Sequence, residues 1–152
     1  MPSISRPRLG RNTAEPRRTP KELRDAITQQ AGALADLAVE RGRAETTFAA
    51  FEVVLAERIF ALACTVVVLF LATAEERVTA ALAERVVRKG RVFRRDRTLV
   101  RSLMTRFGIV RYWRVYMRSC EAGASRRHGF HPLDVALGLM ADRITPSLLA
   151  LA

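Results

Sequence analysis

The chain has 152 residues, of which 26 are lysine or arginine and 15 are aspartate or glutamate, so its formal net charge is +11. Hydrophobic residues make up 49% of the sequence, which is enough to build a core in one domain of ordinary size. The N-terminus lacks the apolar segment of a signal peptide, and two cysteines make no disulfide framework. These features argue against a small secreted domain, and we expect a cytoplasmic protein.

Positive charge is concentrated in one segment of the chain. Residues 85–127 contain fourteen basic and two acidic side chains, whereas residues 25–84 contain four basic and nine acidic ones. A local excess of this size attracts polyanions and repels itself when it has no partner. The charge pattern therefore predicts a nucleic acid, DNA, as the partner.

The first predicted elements are a basic arm and a helix. Residues 1–18 combine three prolines with scattered charges and predict a flexible arm. Directly after it, Thr19 fits an N-cap, Pro20 fits the first helical position and Glu22 completes a capping box. Gly42 is typical of a helix C-terminus and predicts where this first helix stops.

A second, longer helix is predicted from Ala44 to Arg88. No proline or glycine interrupts that segment, and Lys89-Gly90 supplies a cation and a C-cap residue at its end. Its middle, Ile59–Ala74, contains sixteen residues without a charge. Apolar residues also recur at steps of three and four, namely Phe48, Phe51, Leu55, Ile59, Leu62, Val66 and Leu69. Such a seam predicts an α-hairpin or a homodimer through this helix.

The uncharged run has a membrane-spanning alternative. Sixteen helical residues extend roughly 24 Å, whereas the hydrocarbon core of a bilayer is roughly 30 Å thick. The flanks, Glu57-Arg58 and Glu75-Glu76-Arg77, carry both signs and lack the basic cluster that orients a span. We therefore expect a helix buried on all sides by protein, and no membrane partner. A small membrane-anchored protein held by residues 59–74 is the alternative.

Beyond Gly90 the pattern changes from helical to extended. Residues 98–104 are a short extended run, residues 105–108 have turn composition, and residues 109–117 are β-branched and aromatic. They predict a β-hairpin, followed by an irregular loop and short helices that begin at Pro132 and Thr145. The expected fold class is mainly α with a small β-hairpin (α+β). Its segments are an arm (1–18), a helical hairpin (19–90), a basic hairpin with a loop (91–131) and short helices (132–152).

Arginines and aromatic residues lie side by side along the predicted hairpin. Arginines on an extended ribbon reach successive phosphates, and aromatic rings between them stack on bases. The alternative is a solvated strand whose aromatic residues pack on the helices. The regional charge favours nucleic acid, and the candidate contacts are Arg94, Arg95, Arg97, Arg101, Arg106, Arg111, Arg114, Arg118, Trp113 and Tyr116.

Four residues near the C-terminus are possible metal ligands: Cys120, His128, His131 and Asp134. Their spacing matches none of the paired-ligand patterns of structural zinc sites, so we expect no metal. No phosphate-binding glycine loop, Ser-His-Asp arrangement or carboxylate pair stands out in the rest of the sequence. We expect no cofactor and no enzymatic activity.

The order of residues from Arg101 onward resembles a known family. The resemblance is carried by Thr105, Phe107-Gly108, Val110, Arg114, Tyr116, Gly129-Phe130, Pro132-Leu133-Asp134, Ala136-Leu137-Gly138-Leu139 and Thr145-Pro146. This order is similar to the N-terminal half of bacterial insertion-sequence transposases of the ISKra type. The resemblance implies a helical lead-in, a T-x-F-G-x-V hairpin, a cysteine-bearing turn and a PLD-x-x-LGL segment.

Two departures from the family pattern change what the resemblance implies. The family turn holds a C-x-x-C pair, whereas Cys120 stands alone and Ala122-Gly123-Ala124 follow it, so no zinc knuckle is carried over. The family also has a downstream RNase-H-like domain with metal-binding acidic residues, and this sequence stops where that domain would begin. We therefore expect a truncated, DNA-associated N-terminal part of a transposase without its catalytic domain. A degenerate fragment with no activity is a further alternative.

Overall fold

The computed structural model describes residues 16–121, 123 and 128–139. It contains three helices, α1 (Pro20–Arg43), α2 (Phe48–Ala80) and α3 (Pro132–Leu137). Four strands lie between α2 and α3: β1 (Arg85–Arg88), β2 (Arg91–Thr105), β3 (Gly108–Ser119) and β4 (Gly129–Phe130). The predicted α+β class is confirmed. Most of the predicted arm (residues 1–15) and the helix start at Thr145-Pro146 lie outside the described residues.

The first helix begins as its local sequence predicts. The Glu22 amide donates to the Thr19 hydroxyl (3.2 Å), and the Glu22 carboxylate accepts from the Thr19 amide (2.7 Å), which completes the capping box. The same contact lowers the pKa of the Glu22 carboxyl. The helix runs one residue past the predicted stop at Gly42, and α1 packs along α2 as the expected hairpin.

The predicted single helix from Ala44 to Arg88 is wrong at both ends. Helix α2 begins only at Phe48, where the Thr47 hydroxyl accepts the Ala50 amide (3.3 Å), and it ends at Ala80. Its last predicted turns are instead strand β1, which pairs antiparallel with β2. Lys89 and Gly90 have φ values of 50° and 75°, which suits a two-residue hairpin turn and not a helix cap. The helical hairpin therefore stops at residue 80.

The predicted β-hairpin is confirmed and is part of a larger sheet. The sheet has four antiparallel strands in the order β1-β2-β3-β4. The hairpin turn between β2 and β3 is held by Thr105, whose hydroxyl donates to the Gly108 carbonyl (2.8 Å) and accepts from the Phe107 amide (3.2 Å). A bulge at Asp96 interrupts the register between Arg95 and Arg97.

The core has two clusters, one around the second half of α2 and one beside β4. In the first, Leu71 and Ala74 of α2 pack with buried residues of β2, β3 and α3, which are Leu103, Val110, Tyr112 and Leu133. In the second, Phe93, Val115 and Met117 are buried against Leu82, Val86 and Phe130. Residues of β2 and β3 therefore contribute to both clusters.

The expectation that protein buries the uncharged run on every side is wrong for this chain alone. Ile59, Phe60, Val66 and Phe70 are each about half exposed, at 48%, 50%, 47% and 59%. No residue of the most apolar 18-residue window of α2 is buried. By length and composition alone, α2 is one helix that qualifies as a candidate membrane span among the described residues. Helix α1 and the sheet cover other sides of α2 and leave this face open.

Candidate nucleic-acid interface

The register of the sheet aligns three arginines across three strands. Arg85 of β1 is paired with Arg94 of β2, and Arg94 is paired with Arg118 of β3. Directly paired residues on antiparallel strands share a face, with Cβ atoms about 4.5–5.5 Å apart. We call these three residues the arginine row. A cleft of about 450 Å³ beside it is lined by all three arginines together with Val92, Ser119, Cys120 and Glu121.

The arginine row concentrates positive charge without forming an ion pair to any described acidic residue. None of the ion pairs found in the described part of the chain involves Arg85, Arg94 or Arg118. Arg85 and Arg94 are exposed and Arg118 is half-buried, so an anion from solvent can reach the row. Like charges directly opposite each other weaken strand pairing. An anion bound across the row would remove that repulsion.

Arginines around the row have partners of their own. Arg91 contacts Glu121 (3.5 Å), and the Arg88 guanidinium lies 4.7 Å from the centre of the Phe130 ring. Arg95 donates to the Thr79 carbonyl (3.2 Å) at the end of α2. Arg97 is exposed and lies 4.0 Å from Asp96. The predicted contact Arg106 is exposed in the β2–β3 turn, at the other end of the hairpin from the row. These arginines add positive potential, while Arg95 also joins the sheet to the helix.

Two of the predicted phosphate contacts are instead buried inside the protein. Arg101 is 7% exposed and donates to the Asp134 carboxylate (2.8 Å). Arg114 forms an ion pair with the same carboxylate, which also accepts from the Tyr112 hydroxyl (2.9 Å). A guanidinium that is buried against a carboxylate cannot also contact a phosphate on the surface. The prediction for Arg101 and Arg114 conflicts with this placement, because α3 supplies Asp134 from a distant part of the chain.

The two predicted aromatic contacts, Tyr116 and Trp113, lie in different environments. Tyr116 is 9% exposed, and its ring centre lies 5.2 Å from that of His131, so it is a core residue and not a stacking platform. Strand alternation places Trp113 and Arg111 on the face opposite Arg118. Trp113 is half-buried and Arg111 is exposed. Of the ten predicted residues, Arg94 and Arg118 join the row, and Arg85 was missed because it was assigned to a helix.

The structure does not assemble the four possible metal ligands into one site. Asp134 is occupied by its two arginines and Tyr112, and the His131 Nδ1 lies 3.0 Å from the Val115 carbonyl oxygen. Burial and the nearby Arg114 and Arg101 lower the His131 pKa to about 4, so this ring is neutral at pH 7. Within the described ranges, no group of three His, Cys, Asp or Glu side chains is placed to hold a metal ion.

A buried glutamate beside the sheet was not predicted as a structural residue. Glu75 is 1% exposed, and its carboxylate accepts from the Val115 amide (2.7 Å) and the Thr79 hydroxyl (3.3 Å). Burial raises the pKa of its carboxyl. The sequence signal was available, because Glu75 continues the helical spacing of Leu71 and Val78, which pack in the core. Glu75 joins α2 to β3.

Comparisons with protein families, with curated proteins and with solved structures find no match to this chain.

Proposed function

We propose that this chain binds DNA through the arginine row and acts as the DNA-associated part of a transposase-like protein. The observation that supports the proposal is the alignment of Arg85, Arg94 and Arg118 on one face, without a carboxylate partner among the described residues. Three positive charges in one line are costly to fold together unless an anion joins them. The transposase-like part of the proposal rests on the sequence resemblance alone.

The chemistry of the row suits a phosphate backbone. Neighbouring strands lie about 4.8 Å apart, so the row spans roughly 10 Å from β1 to β3. Duplex DNA presents one negative charge per roughly 1.7 Å of helix axis, which places several phosphates within that span. A guanidinium group also matches phosphate oxygens with a planar pair of donors. Contacts of this kind position a protein on DNA without reading its sequence.

The proposal assigns binding to this chain and no chemical step. Among the described residues that line the cleft, the groups with nucleophile or base chemistry are the Ser119 hydroxyl, the Cys120 thiol and the Glu121 carboxylate, which already contacts Arg91. Any strand cleavage would belong to a catalytic domain of the kind that the resemblance implies.

The test is a salt titration of duplex binding for two triple variants. Replacing Arg85, Arg94 and Arg118 with alanine should weaken binding and reduce the slope of log K against log salt by up to about 2.7, at roughly 0.9 per phosphate contact. The control replaces three exposed arginines of α1, Arg24→Ala, Arg41→Ala and Arg43→Ala, which changes the net charge equally. Circular dichroism checks that both variants remain folded.

Three outcomes separate the possibilities. A large loss of slope in the row variant and a small loss in the α1 variant would support the interface. An equal loss in both would show that only total charge matters and would overturn the assignment to the sheet. Wild-type protein that does not bind duplex DNA at low salt would overturn the function itself.

A further inference from the structure

One exposed stripe runs along α2 on the side that α1 and the sheet leave open. It follows steps of four and three residues and consists of Glu52, Ala56, Ile59, Ala63, Val66, Phe70, Thr73 and Arg77, all exposed except the half-buried Ala63. We call this stripe the α2 seam. Ile59, Val66 and Phe70 are its large apolar members, and each is about half exposed. Exposed apolar side chains in a contiguous stripe mark an interaction surface.

The spacing of the α2 seam is that of a helix–helix interface. Steps of four and three repeat every seven residues, which keeps one narrow stripe facing a partner helix. The neighbouring side of α2 is already used, because Leu71 and Ala74 pack against the sheet and α3. A further helix is therefore the shape that fits the seam.

Charge at the two ends of the seam selects its partner and its direction. Glu52 lies at one end and Arg77 at the other, both exposed, and the positions between them are uncharged. In an antiparallel pair of identical helices, each Glu52 meets the Arg77 of the second copy. The same arrangement places Ile59 against Phe70, and Ala63 against Val66. A parallel pair would place like charges together at both ends, which is unfavourable.

Charged and polar groups on other sides of α2, at the level of the seam, argue against a bilayer as its occupant. Arg18 and Arg111 line a cavity with Cys64 and Val68, in the middle of the uncharged run. A helix that spans a membrane at this level would carry these arginines into the hydrocarbon core, which is costly. Most of the outward-facing surface of α1, which packs along α2, is also charged or polar.

We propose that two copies of this chain associate through antiparallel α2 seams. The interface is self-complementary, as a twofold dimer requires, and it brings two arginine rows into one particle. It does not depend on the proposed DNA binding, because no residue of the arginine row belongs to the seam.

The first experiment measures molar mass by light scattering after size exclusion. Wild type should have the mass of a dimer, and Val66→Glu should halve it. The matched control is Val39→Glu, because Val39 of α1 is equally exposed (53% against 47% for Val66) and lies outside the seam. This control should remain a dimer. A monomeric wild type, equal masses for the two variants, or recovery of wild type only from carbonate-washed membranes would overturn the proposal.

The second experiment tests the direction by disulfide cross-linking in a Cys64→Ser, Cys120→Ser background. The double variant Glu52→Cys, Arg77→Cys should form a covalent dimer under mild oxidation, whereas either single variant should not. The reason is that positions 52 and 77 are roughly 37 Å apart along one helix. Cross-linking of the single variants would show a parallel pair and overturn the antiparallel assignment. Charge reversal gives an independent check: Glu52→Arg should weaken the dimer, and adding Arg77→Glu should restore it.

Discussion

Replacing Asp134 with asparagine tests the most highly charged part of the interior. The Asp134 side chain accepts from Arg101 (2.8 Å) and from the Tyr112 hydroxyl (2.9 Å), and it forms an ion pair with Arg114. Asp134 is 8% exposed, and the side chains of Arg101 and Arg114 are 6% and 14% exposed. Asparagine has nearly the same shape but no charge. Two buried guanidinium groups would then lose the carboxylate they share.

The expected cost is large compared with the stability of a small domain. Breaking a buried ion pair by removing one partner costs about 3–5 kcal/mol, because the remaining charge stays in a poorly solvated site. Asparagine keeps one carbonyl acceptor, so we expect a loss near the lower end, about 3 kcal/mol. Domains of this kind have total stabilities of about 5–15 kcal/mol, so the variant should still fold in part or in full.

Urea unfolding, followed by circular dichroism, measures this loss. With a slope of about 1–3 kcal/mol per molar urea, the midpoint should fall by at least about 1 M. Asp96→Asn is the control, because Asp96 contacts Arg97 at 4.0 Å in a more solvated position and should change stability by less than about 1 kcal/mol. Equal midpoints for the two variants would refute the view that Asp134 holds the arginines inside.

Three further predictions concern groups that contact strand β3. Glu75→Gln should leave stability at pH 7 unchanged or raise it, since it keeps the acceptor for the β3 amide and removes a buried charge. Glu75→Leu should cost about 1–3 kcal/mol in the same urea assay. His131 has a pKa of about 4 in the fold against 6.5 for the free side chain, so the unfolded chain binds more protons between these values. Wild type should therefore lose stability from pH 6.5 towards pH 4, and His131→Gln should show a weaker loss over that window. Gly129→Ala should lower the melting temperature, because the added Cβ would overlap the buried Tyr116 hydroxyl, whereas Gly32→Ala on the open side of α1 should raise it slightly.

Local chemistry made the first helix and the hairpin turn predictable. The capping box needs only Thr19 and Glu22, which are three residues apart, and the turn needs only residues from Thr105 to Gly108. Each contact forms between neighbours in the chain. Neither depends on how the rest of the molecule folds, so sequence alone was enough.

The end of α2 was missed because two patterns compete in the same residues. The segment RVVRKGRVFR places two apolar residues, mostly β-branched, between arginines on each side of Lys89-Gly90, which fits two short strands around a two-residue turn. The same segment contains no proline and continues a long helical run, so the helix was extended through it. Pairing with β2 decides the outcome, since Val86 of β1 packs against the cluster of the buried Phe93. That contact cannot be identified from helix propensity.

The burial of Arg101 and Arg114 depends on a contact with a segment that is distant in the sequence. Asp134 lies 33 positions after Arg101, and α3 must fold back onto the sheet before the carboxylate reaches either arginine. From composition alone, both arginines were predicted to be available for contact with phosphates. The structure therefore removes Arg101 and Arg114 from the exposed arginines of the predicted interface, and the interface itself stays a prediction.

The exposed arginines of the row and the buried Arg101 lie on one face of the sheet because of a single bulge in β2. Without a bulge, odd-numbered residues of β2 would lie on one face throughout, and Arg101 would share the face of Phe93. The unpaired Asp96 shifts the alternation, so that Arg94 of the exposed row and the buried Arg101 lie on the same face of the sheet. Towards the β2–β3 turn, α3 covers that face and supplies Asp134 as a counter-charge. Towards β1, the arginine row has no described carboxylate partner. The same face therefore has a counter-charge for its arginines at one end and none described at the other, which is where we propose that a phosphate backbone binds.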